Sequence, residues 1–467
     1  MDLMRDQAWH RLVAARPWLR IDPAEGLCFD GVALARVAQA HGTPSWVYSA
    51  AMLRGRLATL QGALSEAGVP ASVCYAVKAN DHLAVLTLLR EGGAGADVTS
   101  AGEMGRALAA GIAPARMVYS GVGKRDDEIE QALAVGIGQI NVESAEELPV
   151  IAAAAQRLGV MAPVALRVNP DIAAGGHDKI STGRAADKFG IDFDAAASLF
   201  RHAATLPGIT PVGFSTHIGS QIFAPAPFEA AYRRVLALVD GLGAEGYAIR
   251  RLDVGGGFGT PFDDGPGFAL SAYAAMLARL MAGRNLEILV EPGRWLVGPA
   301  GILLASVTRV KRTAQQRFVV LDAGMNDLLR PALYEAHHGV VPVSPGLAVQ
   351  HGAPAALVGP VCESSDRFGW YDLPEVAAGS IVAILDAGAY GAVMSSAYNG
   401  RPLAAQILLE GGRDFVIRAR QSVPDLWRDE IVPEFLGAGG FETGGFETGG
   451  FETGGLETGG LETGGLG

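Results

Sequence analysis

Short apolar runs that stop on Gly, Ser, Asn or a charged residue recur along the first two thirds of the chain. They are SVCYAVKAN (72–80), GADVTS (95–100), MVYSG (117–121), QINVES (139–144), VALRVNP (164–170), GFSTHIG (213–219), RLDVGGG (251–257) and EILVEPG (287–293). Between them lie segments such as AGEMGRALAAG and KRDDEIEQALAVG, with apolar residues three and four apart and a glycine near the helix end. A strand of a parallel sheet is buried on both faces and so reads as a near-continuous apolar run. Eight such runs alternating with helices predict an α/β fold built on a (β/α)8 barrel.

The first four strands start 21 to 24 residues apart, and the gap after the fifth is about twice that. The added length contains ISTGRAADKFG (180–190), which is too polar for a core and reads as an active-site loop. After the eighth strand the pattern changes. RFVVLDAG, ALVGPVCESSD, SIVAILDAGAYG, AAQILLEGG and DFVIRAR are short strands separated by turns, which predicts a mainly antiparallel β-domain. The N-terminal segment, with GLCFDG, lies outside the barrel and is expected to join that domain. The expected boundaries are 1–49 for this segment, 50–300 for the barrel, 301–437 for the β-domain and 438–467 for a tail. That tail reads FETGG three times and LETGG twice. With one apolar residue in five it buries too little surface to offset its ordering entropy, so it is expected to be disordered; an interaction tag is the other reading.

Composition narrows the class. A chain of 467 residues suits two domains, and 49% hydrophobic against 18% charged residues describes a packed protein. Five of the 49 acidic residues lie in the repeats, so the body sets 44 acidic against 37 basic residues, a balance that argues against nucleic acid as a partner. The opening MDLMRDQAWHRLVAARPWLR has no apolar targeting core, and no segment offers 18 uninterrupted apolar residues. A cytoplasmic protein without membrane contact is expected. Cys28, Cys74 and Cys362 are too scattered for a disulfide framework or a metal cluster, so no metal is expected and any working cysteine acts as a thiol.

A barrel presents the C-terminal ends of its strands at one face, where such folds carry their chemistry. Here Lys78 ends the first strand, His217 the sixth, Gly255, Gly256 and Gly257 the seventh, and Glu291 with Gly293 and Arg294 the eighth. Each has a plainer reading. Lys78 suits a solvated strand end, GGGFG a tight turn and His217 a satisfied core position. Together, a lysine, glycines that let backbone N–H groups approach a phosphate, and a carboxylate suited to a pyridine nitrogen point to pyridoxal 5'-phosphate.

CYAVKAN, HIGSQ, GGGFG, EPGR, GPVCESSD and DAGAYG, in this order and spacing, resemble the barrel-type (fold type III) pyridoxal-phosphate decarboxylases. Within that group the likeness is to the diaminopimelate decarboxylase family, and it runs from about residue 42 to residue 420. The resemblance implies that Lys78 is the Schiff-base lysine, that His217 lies against the ring, and that Glu291 faces the pyridine nitrogen. Gly255, Gly256, Gly257, Gly293 and Arg294 would surround the phosphate, with Ser220 in reach, and Tyr390 would meet cofactor and substrate. Arg294, Arg330 and Tyr334 would take the distal carboxylate of an amino-acid substrate, and Glu363 its distal ammonium. Cys362 would protonate Cα from a neighbouring subunit, which implies a homodimer with shared sites; its plainer reading is a small buried hydrophobe. The implied reaction is decarboxylation of meso-2,6-diaminopimelate to L-lysine, the last step of lysine formation. Decarboxylases of simple diamino acids resemble a pattern with Asp after this cysteine, so Cys362-Glu363 favours diaminopimelate. A paralogue acting on another D-configured or basic amino acid, in siderophore or polyamine pathways, is the nearest alternative. A non-catalytic pyridoxal-phosphate carrier and a racemase are the others.

Overall fold

The computed structural model describes residues 8–172, 188–346 and 352–436. The tail expected from 438 onward and most of ISTGRAADKFG lie outside the described residues. Eight parallel strands form the barrel. They are β1 (Ala71–Ala76), β2 (Gly95–Val98), β3 (Met117–Tyr119), β4 (Gln139–Val142), β5 (Ala162–Asn169), β6 (Ile209–Ser215), β7 (Arg251–Asp253) and β8 (Glu287–Val290). Each pairs with its successor, and β8 pairs in parallel with β1, so the sheet closes. All eight apolar runs of the sequence therefore become barrel strands. The strands stop short of the runs, because the Gly, Ser and Asn residues that punctuate each run form the loops above the barrel.

The β-domain is organised on one long strand, β9 (Gly301–Arg312), which follows the barrel directly. It pairs antiparallel with Arg317–Leu321, with Ile381–Ile384 and with Ser45–Ser49. Most pairings in this sheet are antiparallel; Arg317–Leu321 with Ala353–Val358 and Ser45–Ser49 with Ala405–Glu410 are parallel. The chain thus contributes a strand to this sheet before it enters the barrel. Ser49 then caps the helix Ala50–Glu66, its Oγ accepting from Met52 N at 3.0 Å. The N-terminal strands Leu19–Asp22, Gly26–Phe29 and Val32–Ala33 form a small antiparallel sheet, and Leu27 N donates to Val343 O at 2.8 Å. Arg16 forms a buried ion pair with Asp386 (2.6 Å), in the loop that leads to Tyr390.

The chain divides into a large unit ending at Val423 and a small one beginning at Pro424, which carries a 3-10 turn at Glu434–Leu436. Among the described residues no helix is long and apolar enough to cross a membrane.

Candidate active site

Lys78 lies just past the end of β1, in the 3-10 turn Val77–Ala79. It is not a solvated strand end. It lines a cavity with His217, Ser220, Gly257, Glu291, Gly293, Arg294 and Tyr390. Its Nζ donates to Asp97 Oδ2 at 2.6 Å, from the neighbouring β2. Burial alone would lower the pKa of this amine, but the carboxylate of Asp97, with Tyr390 and Glu291, raises it above the ordinary lysine value.

The glycines after β7 answer first to packing. A Cβ at Gly255, whose φ is +66, would stand 2.4 Å from Thr216 O, and one at Gly256 would stand 2.0 Å from Glu291 O. Only glycine lets the ends of β6, β7 and β8 approach this closely. Two of the three amides are already used: Gly255 N donates to Asp253 Oδ1 (3.0 Å) and Gly256 N to His217 Nδ1 (3.2 Å). The N–H groups of Gly257 and Phe258 donate to no protein atom among the described residues.

That bond fixes the imidazole of His217. Nδ1 accepts, so the neutral ring carries its proton on Nε2. Burial, and then the charges of Arg167 and Lys78, push its pKa down to about 3. Glu291 moves the other way. It is buried at the end of β8 with Oε1 lacking a partner, and burial followed by the charges of Asp253 and Asp97 raises its pKa well above the ordinary value. It shares a hydrogen bond with Asp253, which also accepts from Gly255 N, from Asn141 Nδ2 (3.2 Å) and from Gln139 Nε2 (3.3 Å). Burial raises the pKa of Asp253 as well, but three N–H donors favour its charged form, so of the two the proton belongs on Glu291.

Two guanidiniums complete the site. Arg294 stacks over Tyr390, 4.6 Å from the ring centroid, and its Nη2 donates to Ser220 Oγ at 3.3 Å. Its Nε and Nη1 are buried without a partner. Tyr390 adopts a left-handed φ of +54, and its N–H donates to Ala79 O at 2.8 Å, which ties its loop to the turn of Lys78. Arg330 opens the short helix Arg330–Tyr334, which ends on Tyr334. It is buried, its Nε is also unpartnered, and burial followed by the charge of Arg294 lowers its pKa to about 9. No carboxylate contributes to the field at either arginine. Two buried cations without a counter-ion form a site for an anion.

Comparison with known proteins identifies the family. The family profile described as "Pyridoxal-dependent decarboxylase, pyridoxal binding domain" matches residues 52–298. The diaminopimelate decarboxylase of Zymomonas mobilis is 45% identical over 88% of this chain and 98% of its own. The chain belongs to the diaminopimelate decarboxylase family of pyridoxal-dependent enzymes. Two solved members, both complexed with L-lysine, share the fold. The Helicobacter pylori enzyme (an I148L mutant) superposes with a TM-score of 0.81 at 40% identity, covering 85% of this chain and 98% of that one. The m. jannaschii enzyme gives 0.83 at 35% identity, covering 90% and 99%.

The cavity fits the cofactor of that family. An amine, an orphaned buried carboxyl oxygen, unengaged amides at Gly257 and Phe258 and an unpaired guanidinium line one space, which suits an aldehyde, a ring nitrogen and a phosphate. Among the described residues no group of three or more His, Cys, Asp or Glu is arranged to hold a metal.

Cys362 and Glu363 are not among the residues that line this cavity. They sit on the turn between Ala353–Val358 and Arg367–Leu373. Cys362 is exposed rather than a small core residue, its N–H donating to Asn399 Oδ1 at 3.0 Å. Glu363 accepts from Tyr398 OH at 2.6 Å. The sequence reading missed Asp97, Asp253 and Asn141. The available signal was a polar residue flanked by apolar ones inside the strands GADV, RLDV and QINV, where burial demands a partner.

Proposed function

We propose that this protein releases CO2 from the D-centre of meso-2,6-diaminopimelate to give L-lysine, acting as a cytoplasmic homodimer with shared sites. The observation that carries this reading is a pair of buried guanidiniums that no carboxylate neutralises: Arg294, which lines the cavity of Lys78, and Arg330, close enough to feel its charge. A planar guanidinium binds a carboxylate through two parallel N–H bonds, so two of them accommodate a phosphate and a second substrate carboxylate together. Ornithine and lysine, once oriented for decarboxylation, have no further carboxylate to offer.

Pyridoxal 5'-phosphate, when bound, supplies the electron sink that makes loss of CO2 possible. The chain's residues do the rest. Lys78 holds the cofactor's aldehyde carbon, with Asp97 keeping its amine oriented. Gly257 and Phe258, with Gly293 and Arg294, receive the phosphate, while Ser220 steadies Arg294. Gly255 and Gly256 give this turn its shape. Glu291 places its proton at the ring nitrogen, drawing on the hydrogen bond with Asp253. His217, neutral and fixed by Gly256, covers the ring face, and Tyr390 closes the side next to Arg294. Arg330 and Tyr334 take the distal carboxylate. The partner chain contributes Glu363 for the distal ammonium and Cys362, whose Sγ–H delivers the proton to Cα.

Purified protein with pyridoxal phosphate is offered meso-diaminopimelate, ornithine, arginine and lysine, and CO2 is measured. Release from meso-diaminopimelate should exceed that from the others by at least about a hundredfold, the effect of one charged contact or more. Faster release from ornithine, arginine or lysine would overturn the assignment.

A further inference from the structure

Arg330 is held by a partner that the reaction itself does not require. Its Nη1 lies 2.8 Å from Nε2 of His338, and its guanidinium carbon lies 4.9 Å from the centroid of Phe262. His338 is fully buried, and its Nδ1 lies 2.9 Å from the backbone oxygen of Leu385. A carbonyl only accepts, so Nδ1 carries the proton. An arginine only donates, so Nε2 presents its lone pair. Both contacts demand the same neutral tautomer. The imidazole is further fixed from outside: Phe262 packs against it at 4.8 Å between centroids, and Tyr371 OH donates to the backbone oxygen of His338 at 2.8 Å. Leu385 directly follows the strand Ile381–Ile384 and leads into the loop of Tyr390, so His338 joins the short helix of Arg330 to the other wall of the site.

The chemistry of the support matters. A carboxylate at this position would pair with Arg330, cancel its charge and compete with an incoming anion. A neutral acceptor orients one N–H and leaves the charge, and the unpartnered Nε, for a ligand. We propose that His338 is the positioning residue that aims Arg330 at the distal carboxylate of the substrate. This rests on the reading of Arg330 given above, and the test separates the two.

L-Lysine keeps the distal carboxylate of diaminopimelate, and cadaverine lacks it. Both are measured as inhibitors of the cofactor-loaded wild type and of Arg330→Ala, His338→Phe, His338→Asn and His338→Gln. A glutamine reaches the place of Nε2 and can offer its oxygen to Arg330. An asparagine reaches only the place of Nδ1 and keeps the Leu385 bond alone. His338→Phe and His338→Asn should weaken L-lysine and raise KM for meso-diaminopimelate about tenfold, with kcat within about twofold. His338→Gln should stay within about threefold of wild type, the loss expected when the hydrogen bond is kept. Cadaverine should bind all four variants alike. If L-lysine binds His338→Phe and His338→Asn as it binds wild type while Arg330→Ala loses it, His338 has no positioning role and the reading of Arg330 stands. If cadaverine weakens in parallel with L-lysine, His338 serves the fold and the proposal is overturned. If Arg330→Ala leaves L-lysine untouched, the reading of Arg330 falls and His338 with it. Should His338→Phe fail to fold, the contrast between asparagine and glutamine decides the matter.

Discussion

Lys78 and Cys362 belong to one compact unit but sit in opposite settings. Around Lys78 the polar groups are buried, mutually oriented and incompletely satisfied. Glu291 Oε1, Asp97 Oδ1 and three guanidinium nitrogens of Arg294 and Arg330 lack partners, at a cost in stability that a folding requirement alone does not explain. Around Cys362 the side chains are exposed, yet the backbone is firmly held. Asp366 anchors the turn by accepting from Val361 N at 2.6 Å and from Met325 N at 2.7 Å. The first region has the polar groups to hold an anionic ligand. The second is a fixed, outward-facing presentation of a thiol and a carboxylate. A firmly held turn whose thiol and carboxylate line no part of the Lys78 cavity suits the shared site proposed above, in which a two-fold axis would bring the two regions together.

The buried groups around Lys78 should respond most strongly to substitution. Lys78→Ala should abolish both turnover and the visible absorbance of the pyridoxal phosphate adduct. Borohydride reduction and peptide mapping of the wild type should label Lys78, and label on another lysine would remove it from the centre of the account. The presented turn should respond differently. Cys362→Ala should keep the cofactor absorbance of the wild type while turnover falls by about 10²–10⁴-fold, the usual range for removing a general acid. Loss of absorbance in Cys362→Ala would mean that the turn supports the cofactor as well.

A smaller effect concerns His217 in the cofactor-free protein. Its folded pKa is depressed to about 3 by burial, while an unfolded histidine titrates near about 6.5. A depressed pKa contributes stability that is complete above about 6.5 and is lost as pH falls toward 3, because only the unfolded chain takes up the proton in that window. The loss of melting temperature between pH 7 and pH 4 should therefore be smaller in His217→Gln than in wild type. Equal losses would mean that the imidazole is not held neutral by its surroundings.

Much of the barrel was legible because its strands are buried on both faces, which leaves short apolar runs that few other structures produce. The β-domain was harder. Gly301–Arg312 begins inside the apolar stretch that follows Arg294, so nothing in the pattern marks its start, and Arg367–Leu373 is half exposed, with Gly369 and Asp372 interrupting its apolar residues. Lys78, Glu291 and Arg294 were legible because they end strands at one face. Asp97 and Asp253 were not, since a strand's pattern does not say which residue points into the barrel. His338 was beyond reach for another reason: its partners are Arg330, eight residues away, and Leu385, forty-seven residues away, and only the folded chain brings them together. Cys362 illustrates the converse. The structure exposes its side chain, so the plainer reading as a small buried hydrophobe does not hold, but no sequence pattern states which chain it serves.

In the proposed enzyme one chain supplies Lys78 and another supplies Cys362 to each site, a division of labour that mixed dimers reveal. Lys78→Ala and Cys362→Ala homodimers should each be nearly inactive. When the two are unfolded together and refolded as an equal mixture, half of the dimers are mixed, and each mixed dimer has one site with both lesions and one with neither. Activity should recover to roughly a quarter of wild type, the statistical value for an isologous exchange. If each site were built within a single chain, every site in the mixture would carry one lesion, and an absence of recovery would contradict the account.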